Sequence, residues 1–304
     1  MSSSSVQRKI IYFINPVSGT KTKDPLLVLI EKKTTAAQIP FEILHTNAAG
    51  DYNYLKEKIS KEQITDIVIC GGDGTVNQVA YALFGVNINI GIVPMGSGNG
   101  LAFAAGIPKN SGKALDVIFK NSAILIDSFL INKKFSCMLC GLGFDAQVAH
   151  DFAKQKKRGL ATYVKQSIKN FVSAKPFPFS IETENKTFDC DAWFISIANS
   201  NQFGNNFTIA PKASLCDGLL DIVVVKKMNK LLLVWKVLQQ IRNGKIRNEM
   251  SRDFEKSRIL YFHTKKITIH NLQAAPLHID GDPATTADKF EIEIIPAAFK
   301  LIMP

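Results

Sequence analysis

Apolar residues follow two different rhythms along this chain. In the first 122 residues, short unbroken apolar runs alternate with stretches in which apolar positions recur every three or four residues. The runs at 9–15, 41–45, 65–70 and 89–94 predict strands buried on both faces, as in a parallel sheet. Helices are predicted over 25–33, 52–62, 75–84, 101–105 and 113–120. After Ser122 the texture changes, and strands are predicted at 123–132, 134–142, 178–183, 188–199, 220–225, 258–263, 267–271 and 290–295. Two helical stretches, 160–172 and 230–243, interrupt them. The expected fold class is α/β: a doubly wound parallel-sheet N-terminal domain over 1–122, then an antiparallel β-sandwich C-terminal domain over 123–295. No Pro/Gly/Ser-rich linker separates the halves, so a shared cleft is expected.

Composition narrows the class. Of 304 residues, 46% are hydrophobic, an ordinary value for a folded domain pair. No apolar run approaches the ~20 residues of a membrane-crossing helix, and the best candidate, 231–238, is broken by Lys236. Residues 10–14 are too short for a signal-peptide core, so a cytoplasmic location is expected. The five cysteines are odd in number and lie mostly in apolar runs. Cys137-x-x-Cys140 has no second pair at matching spacing, which favours core cysteines over a metal site. The five histidines show no ligand spacing either.

The net charge of +11 is uneven: residues 226–258 hold ten basic residues against three acidic ones, and 154–158 form a second basic cluster. Such patches attract polyanions, or serve only as a solvated face. Without a recognised binding module or stacking aromatics, nucleic acid is not an expected partner.

Three glycine-bearing turns carry the chemistry. Asn15-Pro16-Val17-Ser18-Gly19 follows the first strand. Gly71-Gly72-Asp73-Gly74-Thr75 follows the third and leads into Val76 and Asn77. Pro94-Met95-Gly96-Ser97-Gly98-Asn99-Gly100 follows the fourth. Open main-chain amides and a helix N-terminus make such turns phosphate cradles. Asp73 would repel a phosphate unless a cation lies between them, which suggests a Mg²⁺-nucleotide site. The standard phosphate-loop pattern is missing, and Gly141-x-Gly143-x-x-Ala146 is only half of a dinucleotide fingerprint.

In this order and spacing the three turns resemble the diacylglycerol kinase catalytic-domain family, which includes bacterial lipid kinases and the sphingosine and ceramide kinases. The resemblance runs to the last residues, where 294–304 is similar to the family's return strand, packing back on the first domain (296–304). It implies that Asn15 to Gly19 and Gly71 to Asn77 contact ATP, with Thr46, Gly96, Ser97, Gly98 and Asn99 adding to the pocket, and that Asp73 handles the catalytic Mg²⁺. Ser214, Asp217 and Leu219 (the last through its carbonyl) resemble the family's structural metal loop; read alone, Asp217-Gly218 is a hairpin turn. Asp280-Gly281-Asp282 matches the segment where the family usually shows Asp-Gly-Glu, so Asp282 is the implied general base and Asp280 the fallback. Gly100 points toward the sphingosine and ceramide branch, whereas Gln147 stands where sphingosine kinases use an acid, so the lipid stays open.

The expected activity is transfer of the γ-phosphate of ATP to a lipid hydroxyl, at an anionic membrane surface that the basic patches contact peripherally. The oligomeric state is open, a homodimer among the options. Two rivals remain: a soluble-metabolite kinase related to the NAD kinases, and a non-catalytic nucleotide- or lipid-binding relic.

Overall fold

The computed structural model describes residues 7–19, 23–47, 49–155, 160–202, 210–230 and 257–304. The helix expected at 230–243 and most of the basic stretch at 226–258 therefore lie outside the described residues, as does most of the cluster at 154–158. The chain divides into two compact units. One runs to Ile126 and takes back Ala297–Pro304; the other is Asp127–Pro296.

The first unit is built from β1 (Ile10–Ile14), α1 (Asp24–Ala36), β2 (Phe41–His45), α2 (Tyr54–Glu62), β3 (Asp66–Gly71), α3 (Asp73–Ala82), β4 (Asn89–Pro94), α4 (Gly100–Ala104) and α5 (Ser111–Lys120). Its strands are parallel in the order β2-β1-β3-β4, with β1 and β3 buried along their whole length. Unbroken burial is why these runs read as apolar without alternation. Beyond β4 lies the end of the chain's last strand, with Lys300 opposite Asn89 and Leu301 opposite Ile90. Two polar contacts fasten helices to the sheet. The Tyr12 hydroxyl meets Thr34 of α1 at 2.7 Å, and burial pushes its pKa up to about 12. Arg8 forks onto buried Asp66 at 3.0 and 3.2 Å and reaches the Ile118 carbonyl at the end of α5.

The second unit begins within β5 (Ala123–Ile131) and continues through β6 (Lys134–Ser136), β7 (Leu139–Gly143), α6 (Phe144–Ala153), α7 (Leu160–Ser173), β8 (Phe177–Thr183), β9 (Thr187–Ala198), β10 (Leu220–Lys226), β11 (Ile259–Thr264), β12 (Lys266–Asn271), β13 (Leu277–Ile279), β14 (Asp282–Ala284) and β15 (Lys289–Ile302). Its ladders are antiparallel. β9 changes partners along its length: residues 187–192 pair with β8, while 194–198 lie between β7 and β10. One core, including Phe129, Leu142, Ile195, Ile222, Ile267 and Phe290, fills this unit.

Three expectations for this half need correction. The single strand expected at 134–142 is two, β6 and β7, because Cys137 and Met138 leave the ladder and turn their amides to a distant carboxylate, Asp280. A helix not foreseen, α6, follows β7; Phe144, Val148 and Phe152 recur on it at helical spacing. Asp280-Gly281 is a two-residue hairpin turn between two short strands that the sequence reading did not include, β13 and β14.

Candidate functional site

The carboxyl ends of β1, β3 and β4 open on one edge of the parallel sheet, and a glycine turn follows each. Strand order changes direction between β1 and β3, the place where doubly wound sheets bind ligands. The Asn15 turn is tied to β3: its amide donates to the Cys70 carbonyl at 3.0 Å and its Nδ2 to Thr75 Oγ1 at 2.8 Å. Asn15 Oδ1 accepts from the Val17 amide at 3.0 Å, which folds the turn on itself while leaving Pro16, Val17 and Gly19 exposed. The turns after β3 and β4 touch through bare backbone. A Cβ on Gly96 would stand 2.6 Å from the Gly72 Cα and 2.9 Å from Asn99 Oδ1. Gly19 joins them, since a Cβ there would stand 2.5 Å from the Met95 carbonyl oxygen. All three turns therefore meet.

Buried Asn99 closes the third turn. Its Oδ1 accepts from the Gly96 amide and its Nδ2 donates to the Gly96 carbonyl, both at 2.8 Å. Asp73 opens α3 and accepts from the Leu101 amide at 3.4 Å. The first-turn amides of α3 have no acceptor within the helix and bring partial positive charge to the same edge. Gly71, Thr75 and Val76 are buried, so what they offer a ligand is main chain; Gly74, Asn77 and Gly98 are half-buried and Ser97 is exposed. Thr46 follows β2, donates its amide to the Ile14 carbonyl at 2.9 Å and shares its hydroxyl with Tyr52. Sequence reasoning missed Lys23. Its ammonium donates to the Ser18 carbonyl beside the first turn, and burial lowers its pKa from the usual lysine value. No motif singles it out among the lysines that follow Gly19.

In the second unit, Ser214, Asp217 and Leu219 share one turn before β10. The Leu219 amide donates to Asp217 Oδ1 at 3.1 Å, and the Gly218 amide to Asp127 Oδ2 at 2.7 Å. Asp127, at the start of the unit, is a second residue the sequence did not single out. Close by in β10, Asp221 accepts from the Tyr261 hydroxyl, while its Oδ2 is buried without a hydrogen-bond partner. Burial raises the Asp221 pKa, and the Asp217 charge adds to the effect. A carboxylate with an orphaned oxygen, close enough to Asp217 to feel its charge, suits a hard divalent cation. Among the described residues no group of three or more His, Cys, Asp or Glu is spaced to hold a metal by itself, so hydroxyl and carbonyl oxygens would have to contribute. Cys137 and Cys140 are buried free thiols.

The two acids of the Asp280-Gly281-Asp282 turn have opposite settings. Asp280 and Gly281 adopt φ of 49° and 84°, the left-handed pair of a type I′ hairpin. The Asp280 carboxylate is buried and accepts from the Ser136 hydroxyl at 2.6 Å and from the amides of Cys137, Met138 and Leu139 at 3.2, 3.1 and 3.1 Å. A carboxylate so engaged fixes a loop. Asp282 begins β14 and is exposed.

Residues 9–131 match the family model "Diacylglycerol kinase catalytic domain", and residues 139–303 match "YegS C-terminal NAD kinase beta sandwich-like domain". Among curated proteins, the chain is 25% identical over 279 residues to a diacylglycerol kinase of Bacillus subtilis, covering 90% of this chain and 89% of that protein. It is 27% identical over 264 residues to a probable lipid kinase YegS-like of Shewanella frigidimarina, covering 84% and 82%. A solved structure described as a diacylglycerol kinase from Bacillus anthracis superposes with a TM-score of 0.77 at 20% identity, over 100% of this chain and 99% of that one. That likeness shows the fold.

Proposed function

The chain belongs to the diacylglycerol kinase family, a catalytic domain followed by a YegS-type C-terminal domain, and from that premise we propose that it transfers the γ-phosphoryl group of ATP to a lipid hydroxyl. In this reading residues 1–122 with 296–304 bind the nucleotide, and 123–295 bind the lipid. Main-chain amides of the turns at 15–19, 71–77 and 96–99 grip the phosphates, and Lys23 adds a cationic charge. Asp73 would hold Mg²⁺, which when bound neutralises phosphate charge that the carboxylate would otherwise repel. Ser214, Asp217 and the Leu219 carbonyl would hold a structural Mg²⁺ that relieves the repulsion around Asp221. Asp282 accepts the proton of the lipid hydroxyl as its oxygen bonds to the γ-phosphorus. The bond from that phosphorus to the bridging oxygen breaks, and ADP leaves. The basic stretches would hold the enzyme against an anionic membrane surface, each charge contributing roughly 1 kcal/mol.

The meeting of three glycine turns beside Asp73 supports this reading most. Its test is a transfer assay with γ-labelled ATP and Mg²⁺ against micelles of diacylglycerol, monoacylglycerol, sphingosine, ceramide or phosphatidylglycerol, with NAD as a soluble acceptor. Label is expected in one lipid, and lost in Asp73→Asn with the fold intact. Label on NAD, or nucleotide binding without turnover on any acceptor, would overturn it.

A further inference from the structure

A buried carboxylate and imidazole lie behind the acidic hairpin and belong to none of the glycine turns, nor to the metal loop. His278 of β13 faces Gly141 of β7 across the ladder and is 2% exposed. Its Nε2 lies 3.4 Å from Oδ2 of Asp145, in the first turn of α6, and Asp145 is itself 8% exposed. The other oxygen of Asp145 accepts from the Ala146 amide at 2.8 Å, which fixes the carboxylate. The second ring nitrogen, Nδ1, lies 3.3 Å from the amide of Gly281. An amide can only donate, so Nδ1 is the acceptor, and the neutral ring carries its proton on Nε2, toward Asp145.

The sequence has made room for this couple. A Cβ on Gly141 would stand 2.0 Å from Asp145 Oδ2 and 2.5 Å from His278 Nε2, so the two side chains fill the space that Gly141 leaves open. The hairpin turn is thus held from two directions. Ser136 and the 137–139 amides grip Asp280, and the imidazole grips Gly281, the residue directly before Asp282. Burying a carboxylate and an imidazole costs free energy that an apolar pair would not.

Resting on the reading of Asp282 as the proton acceptor, we propose that Asp145 and His278 are positioning residues: Asp145 sets the tautomer of His278, and His278 fixes the Gly281 amide and so the direction of the Asp282 carboxylate. His278→Leu removes the acceptor for Gly281 and should lower kcat on the order of tenfold to a hundredfold, with KM for ATP unchanged. His278→Asn, whose Oδ1 can take the place of Nδ1, should recover part of the loss. In a double mutant, His278→Leu should cost nothing further once Asp282→Asn is present.

Nitrogen-15 spectra of histidine-labelled protein give a readout besides activity. One histidine in the native enzyme should be the neutral Nε2–H tautomer, with Nδ1 hydrogen-bonded, and this signal should change in Asp145→Asn. Two failures are distinguishable. If Asp282→Asn keeps full turnover, the reading beneath the proposal falls. If Asp282→Asn is inactive while folded His278→Leu and Asp145→Asn turn over like the native enzyme, the positioning roles fall and the base stands. Should His278→Leu not fold, an Nδ1–H tautomer for His278 in the native protein, or unaltered kcat in His278→Asn and Asp145→Asn together, overturns the proposal.

Discussion

A methyl group on Gly96 would fall 2.6 Å from the Gly72 Cα, closer than non-bonded carbons tolerate. Gly96→Ala must therefore push two turns apart at the proposed phosphate edge. We expect KM for ATP to rise at least about tenfold, equivalent to about 1.4 kcal/mol, with little change in the melting midpoint; calorimetric ATP binding and a thermal melt check both. Asp280→Asn should do the reverse. Its amide group would point a donor at amides that need an acceptor, so stability should fall on the order of 3 kcal/mol, read from denaturant midpoints. At this scale the glycine turns are legible in the sequence because a missing side chain is a property of the residue itself. Lys23, Asp127 and His278 are not, because their significance comes from what the fold sets beside them.

Whole elements show the same divide. The parallel strands are legible from apolar runs that need no knowledge of their neighbours. The break between β6 and β7 is not, since its cause, Asp280, lies more than 140 residues further on. The β13–β14 hairpin has its Asp-Gly turn in plain view, yet its strands are three residues each, too short for an alternation pattern to register. The loop before β10 allows an element-level prediction. If it takes up Mg²⁺, adding the ion should raise the melting midpoint of the native chain and not that of Asp217→Ala, because a ligand that binds only the folded state stabilises it. Equal shifts in both proteins would remove the loop from the metal assignment.

Charge acts on the molecule as a whole. A net +11, concentrated in a few basic stretches, should make activity on anionic vesicles fall as salt rises from 0.05 to about 0.5 M, since screening shortens the reach of those charges. Activity on neutral micelles should change little over the same range, and a flat profile on both would argue against an electrostatic membrane contact. The chain's tail is a second molecular-scale feature. Phe299, Leu301 and Ile302 are buried, and Leu301 pairs beside β4, so deleting 297–304 uncovers an apolar strand edge. The truncated protein should lose nucleotide binding and aggregate, as judged by calorimetry and light scattering.

That pairing also bears on how the protein is made. The first unit is completed by residues that follow the whole of the second unit in sequence. A nascent chain that has reached only Pro296 therefore carries β4 with one side unclosed, although the second unit has already emerged. A chain cut short before Ala297 keeps that apolar edge bare, so early-made sequence waits on distant, late-made sequence for its closure.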